Sequence, residues 1–100
     1  MGFRLSGEAE EDIIAIAEHG VSVFGRAQAK RYHTELLALL ALIGENPRMA
    51  RERTEIVPPV RLQPFKAHLI VYVVEENDEV LIVRVRHGRE NWETSGVPPE

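Results

Sequence analysis

AHLIVYVVEENDEVLIVRVRH, residues 67–87, reads as a β-hairpin. Two runs dense in β-branched residues, 67–74 and 80–87, flank the polar stretch Glu75-Glu76-Asn77-Asp78-Glu79. Successive strand side chains point to opposite faces, so a slip of one residue exchanges the faces. With the turn centred on Asn77-Asp78, Val74 faces Leu81, Tyr72 faces Val83, Ile70 faces Val85 and His68 faces His87. That face is almost wholly apolar and is expected under helices. The other face pairs Val73 with Ile82, Val71 with Arg84 and Leu69 with Arg86. It is apolar at one end and cationic at the other, a composition that calls for a cover rather than plain solvent.

Upstream of the hairpin, Val60 and Leu62 alternate with polar neighbours and predict a third strand, which Pro64 confines to an edge, an end or a bulge. The segment RMARERTEIVPP, residues 48–59, is polar and closed by prolines, and reads as a surface loop. Before it, LLALLALI at 36–43 sits in a helix ending at Asn46-Pro47 that is apolar around more of its circumference than one sheet contact requires. A first helix begins at Ser6, an N-cap followed by Glu8, Glu10, Glu11 and Asp12 in the turns where the helix dipole favours acids. Its apolar stripe is Ala9, Ile13, Ile16, Ala17, Val21 and Phe24, and Gly20 and Gly25 break it from the second helix. Phe3-Arg4-Leu5 is a short leading strand. The expected fold is α+β, with an N-terminal short strand and a helical hairpin packed on an antiparallel sheet that ends in a three-strand meander. Residues 1–100 are expected to form a single domain, the usual outcome at this length.

Composition narrows the function. At 44% hydrophobic and 28% charged residues the chain can bury a core. Lys and Arg number 12 against 16 Asp and Glu, a net charge of -4, which is the wrong sign for an obligate nucleic-acid binder. The chain has no Cys, so thiolate metal sites and thiol nucleophiles are excluded. No run reaches the length of a membrane span and no signal peptide is visible, so no membrane association and a cytoplasmic location are expected. There is no Gly-rich phosphate loop, Ser-His-Asp arrangement or catalytic carboxylate pair. His68 and His87 face each other, but two imidazoles fall short of a zinc site, so metal and other cofactors are both expected to be none. His19 and His33 read as surface or rim residues. The acids Glu75, Glu76, Asp78 and Glu79 form a solvated hairpin tip.

Taken in order and spacing, FRLSGEAEEDI (3–13), LALIGENP (40–47), VRLQPFKAHLIVYVV (60–74) and IVRVRHGRENW (82–92) resemble the RelE/ParE toxin superfamily, the toxin halves of type II toxin-antitoxin pairs. The last two pieces are the more specific, through the strand ending Arg84-Val85-Arg86-His87 followed by Arg89 and an aromatic. The resemblance implies one of two activities. RelE-like members are ribosome-dependent messenger-RNA endonucleases, whereas ParE-like members are associated with poisoning DNA gyrase. RNA cleavage needs a proton-transfer group and cations at the phosphate. Arg61, Lys66, Arg84, His87 and Arg89 would be that set. Yet Trp92 stands where RelE-like enzymes tend to place a tyrosine, and an indole is a donor only. The chain is therefore more similar to the ParE branch, which implies a toxin that acts by binding rather than as an enzyme. Its implied partners are a ParD-like antitoxin, in a heterotetramer or larger hetero-oligomer, and DNA gyrase, with DNA met only indirectly through the antitoxin. Leu69, Val71, Val73, Ile82, Arg84 and Arg86 are the expected antitoxin-binding residues, the arginines meeting carboxylates of a crossing segment. Arg89 and Trp92 are candidates for target binding, although Trp92 also reads as an anchor folding the tail back on the sheet. A toxin fold that has lost its activity is the third reading.

Overall fold

The structure is a computed structural model that describes residues 2–88. Along the chain run β1 (Phe3–Leu5), α1 (Gly7–Phe24), α2 (Arg26–Glu45), β2 (Glu52–Arg53), β3 (Val60–Phe65), β4 (His68–Val74) and β5 (Val80–His87). The strands form one sheet in the order β1-β5-β4-β3-β2, and both helices lie on the same face of it, the α+β arrangement that the patterning predicts.

The helices begin and end where local chemistry dictates. Ser6 Oγ accepts the Ala9 N–H at 3.0 Å and donates to the Val83 carbonyl at 2.7 Å, so one hydroxyl both caps α1 and ties it to β5. Gly25, at φ 90° and ψ 166°, closes α1 and opens α2 in a single residue, a backbone region that only glycine enters freely. Across that hairpin a Cβ on Gly20 would lie 3.3 Å from the Ala29 Cβ, so a missing side chain sets how closely the helices approach. From α2, Leu36, Leu40 and Ile43, spaced i, i+4 and i+7, bury against Ile70, Tyr72 and Ile82 of the sheet. Only the first half of the α1 stripe is covered. Ala9 and Ile13 are buried, whereas Val21 and Phe24 are 44% and 60% exposed.

Three features depart from the patterning. First, β1 runs parallel to β5, with Phe3 opposite Val80 and Leu5 opposite Ile82, so the sheet is mixed. A crossover through two helices permits a parallel pairing that a hairpin cannot make. Second, the segment read as loop contains β2, which pairs antiparallel with Val60 and Arg61 of β3. Farther along it Ile56 is 1% exposed, held against Val60 and Val71. Pro64 lies past the end of β2, on the open side of β3, where its missing N–H interrupts no ladder.

Third, the hairpin register holds from His68 opposite His87 to Val71 opposite Arg84, then slips by one. Beyond the slip Tyr72 faces Ile82, Val73 faces Leu81 and Val74 faces Val80, leaving Val83 as the extra residue of a β-bulge. The turn is the cause. Asp78 takes φ 65°, and Glu75 N–H bonds Glu79 O at 2.7 Å, which centres the loop on Asn77 alone. Ile82, expected on the outer face, is thereby carried into the helix-side core at 0% exposure.

Tyr72 pins the irregular segment to this core. Its hydroxyl donates to the Pro47 carbonyl at 2.8 Å and accepts from Ala50 N–H at 3.4 Å. Burial raises the phenol above its ordinary value of 10.0, opposed by the Ala50 bond and by Arg61. A raised folded-state pKa contributes stability that is fully present below the unfolded value and is lost as pH rises through the folded one. Tyr72→Phe should therefore lower stability at neutral pH by about 1–2 kcal/mol, the cost of leaving buried polar groups unsatisfied. In a melting series above pH 10, the variant should also lose less than the wild type on further alkalisation.

Candidate functional site

The sheet face away from the helices carries a second apolar cluster. Ile56, Val60 and Val71 are buried at its centre, and Leu62, Leu69, Val73 and Val83 are half-buried around them. The cover expected for this face is thus partly supplied by the chain itself, because Ile56 roofs Val71. The half-open belt of Leu69, Val73 and Val83 continues toward Arg86, which lies opposite Leu69 and is itself half-buried.

Arg84 does not present itself to that face as expected. β1 pairs with β5 only through Ile82, so the edge of β5 beyond it faces α1. There Asp12 accepts from Arg84 Nε at 2.8 Å, from Arg84 Nη2 at 3.0 Å and from the Val85 N–H at 2.9 Å. The two side chains are 13% and 15% exposed, which makes this the most buried of the described ion pairs. One carboxylate satisfies a forked guanidinium and a free edge amide together. Asp12 was hidden in an acidic run that the helix dipole explains. The usable signal is its place at i+3 from Ala9 and next to Ile13, on the buried stripe rather than the solvent side.

Two further cations of the nuclease set, Arg61 and Lys66, are also held locally. Arg61 Nη1 donates to the Ala50 carbonyl at 2.6 Å, and Lys66 pairs with Glu35. Arg61 lies near the start of β3 and Lys66 just past its end, and their head groups are turned to different acceptors. His87 closes β5, where its ring meets that of His68 edge to face at 5.5 Å between centroids. His68 Nδ1 shares a 2.7 Å hydrogen bond with the Tyr32 hydroxyl, a partner that reading Tyr32 as plain helix core missed. Burial holds Tyr32 above the usual 10.0, against the Ala67 amide and Lys66, so it is not a base near neutrality. Among the described residues no three His, Asp or Glu side chains are grouped to hold a metal. Arg89 and Trp92 lie outside the described residues, and no described helix is long and apolar enough to cross a membrane.

Comparison with known proteins agrees in fold and sequence. The model of the family described as ParE toxin of type II toxin-antitoxin system, parDE, matches residues 3–92. Toxin ParE of Escherichia coli is 24% identical over 87 residues, covering 87% of this chain and 84% of that protein. A solved structure of the chromosomal ParDE TA system from P. aeruginosa superposes with a TM-score of 0.75 at 20% identity, over 87% of this chain and 95% of that one.

Proposed function

The chain belongs to the ParE toxin family of type II toxin-antitoxin systems, and we propose that it acts by binding rather than by cutting RNA. In this reading a ParD-like antitoxin neutralises it, and DNA gyrase is the target when it is released. The observation that carries the reading is the disposition of the cations. Arg84 is held by Asp12, Arg61 by a backbone carbonyl and Lys66 by Glu35, each as part of the fold. An enzyme that stabilises charge on a phosphate needs its cations converging on one point with a proton-transfer group beside them. Among the described residues the nuclease set does not converge as a whole: Arg61 and Arg84 are turned to separate partners, and only Lys66 and His87 line a common cleft, on the helical side. The antitoxin would lie over the outer sheet face, where Leu69 and Val73 remain half-open and Arg86 stands at the cationic end. An amphipathic segment bearing carboxylates has the matching chemistry. Val71 contributes to that site from beneath, as the buried support of its neighbours.

Primer extension on messenger RNA in a reconstituted translation system tests the negative half. No toxin-dependent cut is expected with ribosomes present. Cleavage by the wild type that His87→Ala abolishes would replace this reading with the nuclease one.

A further inference from the structure

A cleft of about 440 Å³ opens on the helical side, between the C-terminal half of α1, the N-terminal half of α2, the β3–β4 turn and the end of β5. That volume is within the range of small-ligand pockets. Its apolar wall includes Ile16, Ala17, Phe24, Ala29 and Leu36, and the Phe24 side chain is left 60% exposed where α1 ends. A flat apolar body laid on that ring removes it from water.

The ionisable residues of the described lining are Tyr32, Lys66 and all four histidines of the chain, His19, His33, His68 and His87, with no Asp, Glu or Arg among them. In a chain with 16 acids against 12 Lys and Arg, this selection runs opposite to the overall charge. Four of the six stand together at one end. Lys66 Nζ lies 5.7 Å from the centre of the Tyr32 ring, the Tyr32 hydroxyl is 2.7 Å from His68 Nδ1, and the His68 and His87 rings meet at 5.5 Å between centroids. They come from α2, the β3–β4 turn, β4 and β5, so the fold itself assembles a polar end beside an apolar wall. Burial above all keeps the Tyr32 phenol above its usual value, so it adds no negative charge there. Glu35, outside the lining, pairs with Lys66, but the two side chains are 47% and 53% exposed, and such pairs exchange with little loss.

We propose that this cleft binds a small aromatic monocarboxylate, its ring against Phe24 and Ala17 and its carboxylate at the end formed by Lys66, Tyr32, His68 and His87. The lining selects the charge as well as the shape. One lysine with hydroxyl and imidazole groups suits a single negative charge, whereas a phosphate dianion calls for the forked guanidinium that the described lining lacks. The site lies across the sheet from Leu69 and Val73, so it is separate from the outer face and adds to the toxin's binding repertoire. A ligand held there touches both helices and two strands, and it stabilises the toxin by mass action.

Cinnamate titrated into the full-length toxin, followed through the histidine ring resonances, tests the proposal. Cinnamyl alcohol is the neutral analogue, and acetate is the anion without a ring. Cinnamate should give saturable shifts of the histidine and Phe24 signals and raise Tm. The alcohol should bind about tenfold more weakly, the value of one charge-assisted hydrogen bond, and acetate should not saturate. Lys66→Met should weaken cinnamate by a similar factor and leave the alcohol unchanged. Phe24→Glu, which puts an acid into the wall, should abolish cinnamate binding while circular dichroism stays native. Ala15→Glu, also exposed and in the wall, is the second variant should Phe24→Glu melt early. Ile14→Asp, on α1 but outside the lining, should bind as the wild type does. Absence of saturable shifts up to the solubility limit of cinnamate would overturn the proposal. So would equal affinity for the acid and the alcohol, which would reduce the site to an apolar hollow, or binding that survives both wall variants. These measurements use the toxin alone, so their outcome is independent of antitoxin, gyrase and RNA.

Discussion

Asp12→Ala should destabilise the toxin by about 3 kcal/mol, because removing one member of a buried ion pair takes away the charge that offsets the other's desolvation. The substitution removes the carboxylate that accepts from both the Arg84 guanidinium and the Val85 amide. In a domain of this size that loss lowers Tm by roughly 12–24 °C. The contrast is Arg48→Ala. Its pair with Asp78 is 3.0 Å long but 61% and 58% exposed, and exposed pairs contribute about 0–1 kcal/mol. Replacing both partners, Asp12→Leu with Arg84→Leu, should recover part of the loss, since two apolar groups leave no charge buried. Urea or thermal denaturation of the four proteins checks this. A change under about 1 kcal/mol for Asp12→Ala would mean that the pair is solvated in solution.

Leu69→Asp combined with Val73→Asp should weaken antitoxin binding about a hundredfold or more. Both side chains lie on β4 with the same parity, on the outer face, and both are half-buried in the toxin alone. An interface core that excludes water cannot accept two uncompensated carboxylates, and each tenfold loss of affinity corresponds to about 1.4 kcal/mol. The pair is chosen because neither residue is part of the sealed core. By contrast, charging Val71 or reversing Arg84 would disturb a fully buried residue or the Asp12 pair, and lost binding would then report unfolding. Ile14→Asp, at a residue of α1 that is 57% exposed, should leave binding unchanged. Calorimetric titration of a ParD-like antitoxin into each variant gives the answer. Wild-type affinity in the double variant would move the interface away from the outer sheet face.

The strands and helices were legible because their signals are local. Ser6 followed by acids, Gly25 between two apolar stripes and Asn46-Pro47 each mark an end by their own backbone chemistry. The register was legible only in part. Val80, Leu81, Ile82 and Val83 are apolar on both parities, so pattern alone does not choose which of them faces the helices. The choice was made by the turn at Asp78 and the bulge at Val83, one residue of geometry that reverses Ile82. β1 and β2 gave too few residues, three and two, to name their partners. The site residues divide in the same way. Leu69 and Val73 could be read from alternation along one strand, whereas Asp12 with Arg84 and Tyr32 with His68 join positions far apart in the chain. Four histidines on four elements, α1, α2, β4 and β5, line one cleft on the helical side, and no spacing in the sequence announces it.

Under the proposed function this ParE toxin disables a protein target and an antitoxin prevents it from doing so. The most direct measurement is DNA supercoiling by purified gyrase with increasing toxin, followed by addition of the ParD-like antitoxin. The toxin should inhibit supercoiling and the antitoxin should restore it, with the Leu69→Asp, Val73→Asp toxin still inhibiting but no longer relieved. Supercoiling that proceeds unchanged at every toxin concentration, while the same preparation cuts ribosome-bound messenger RNA, would contradict it.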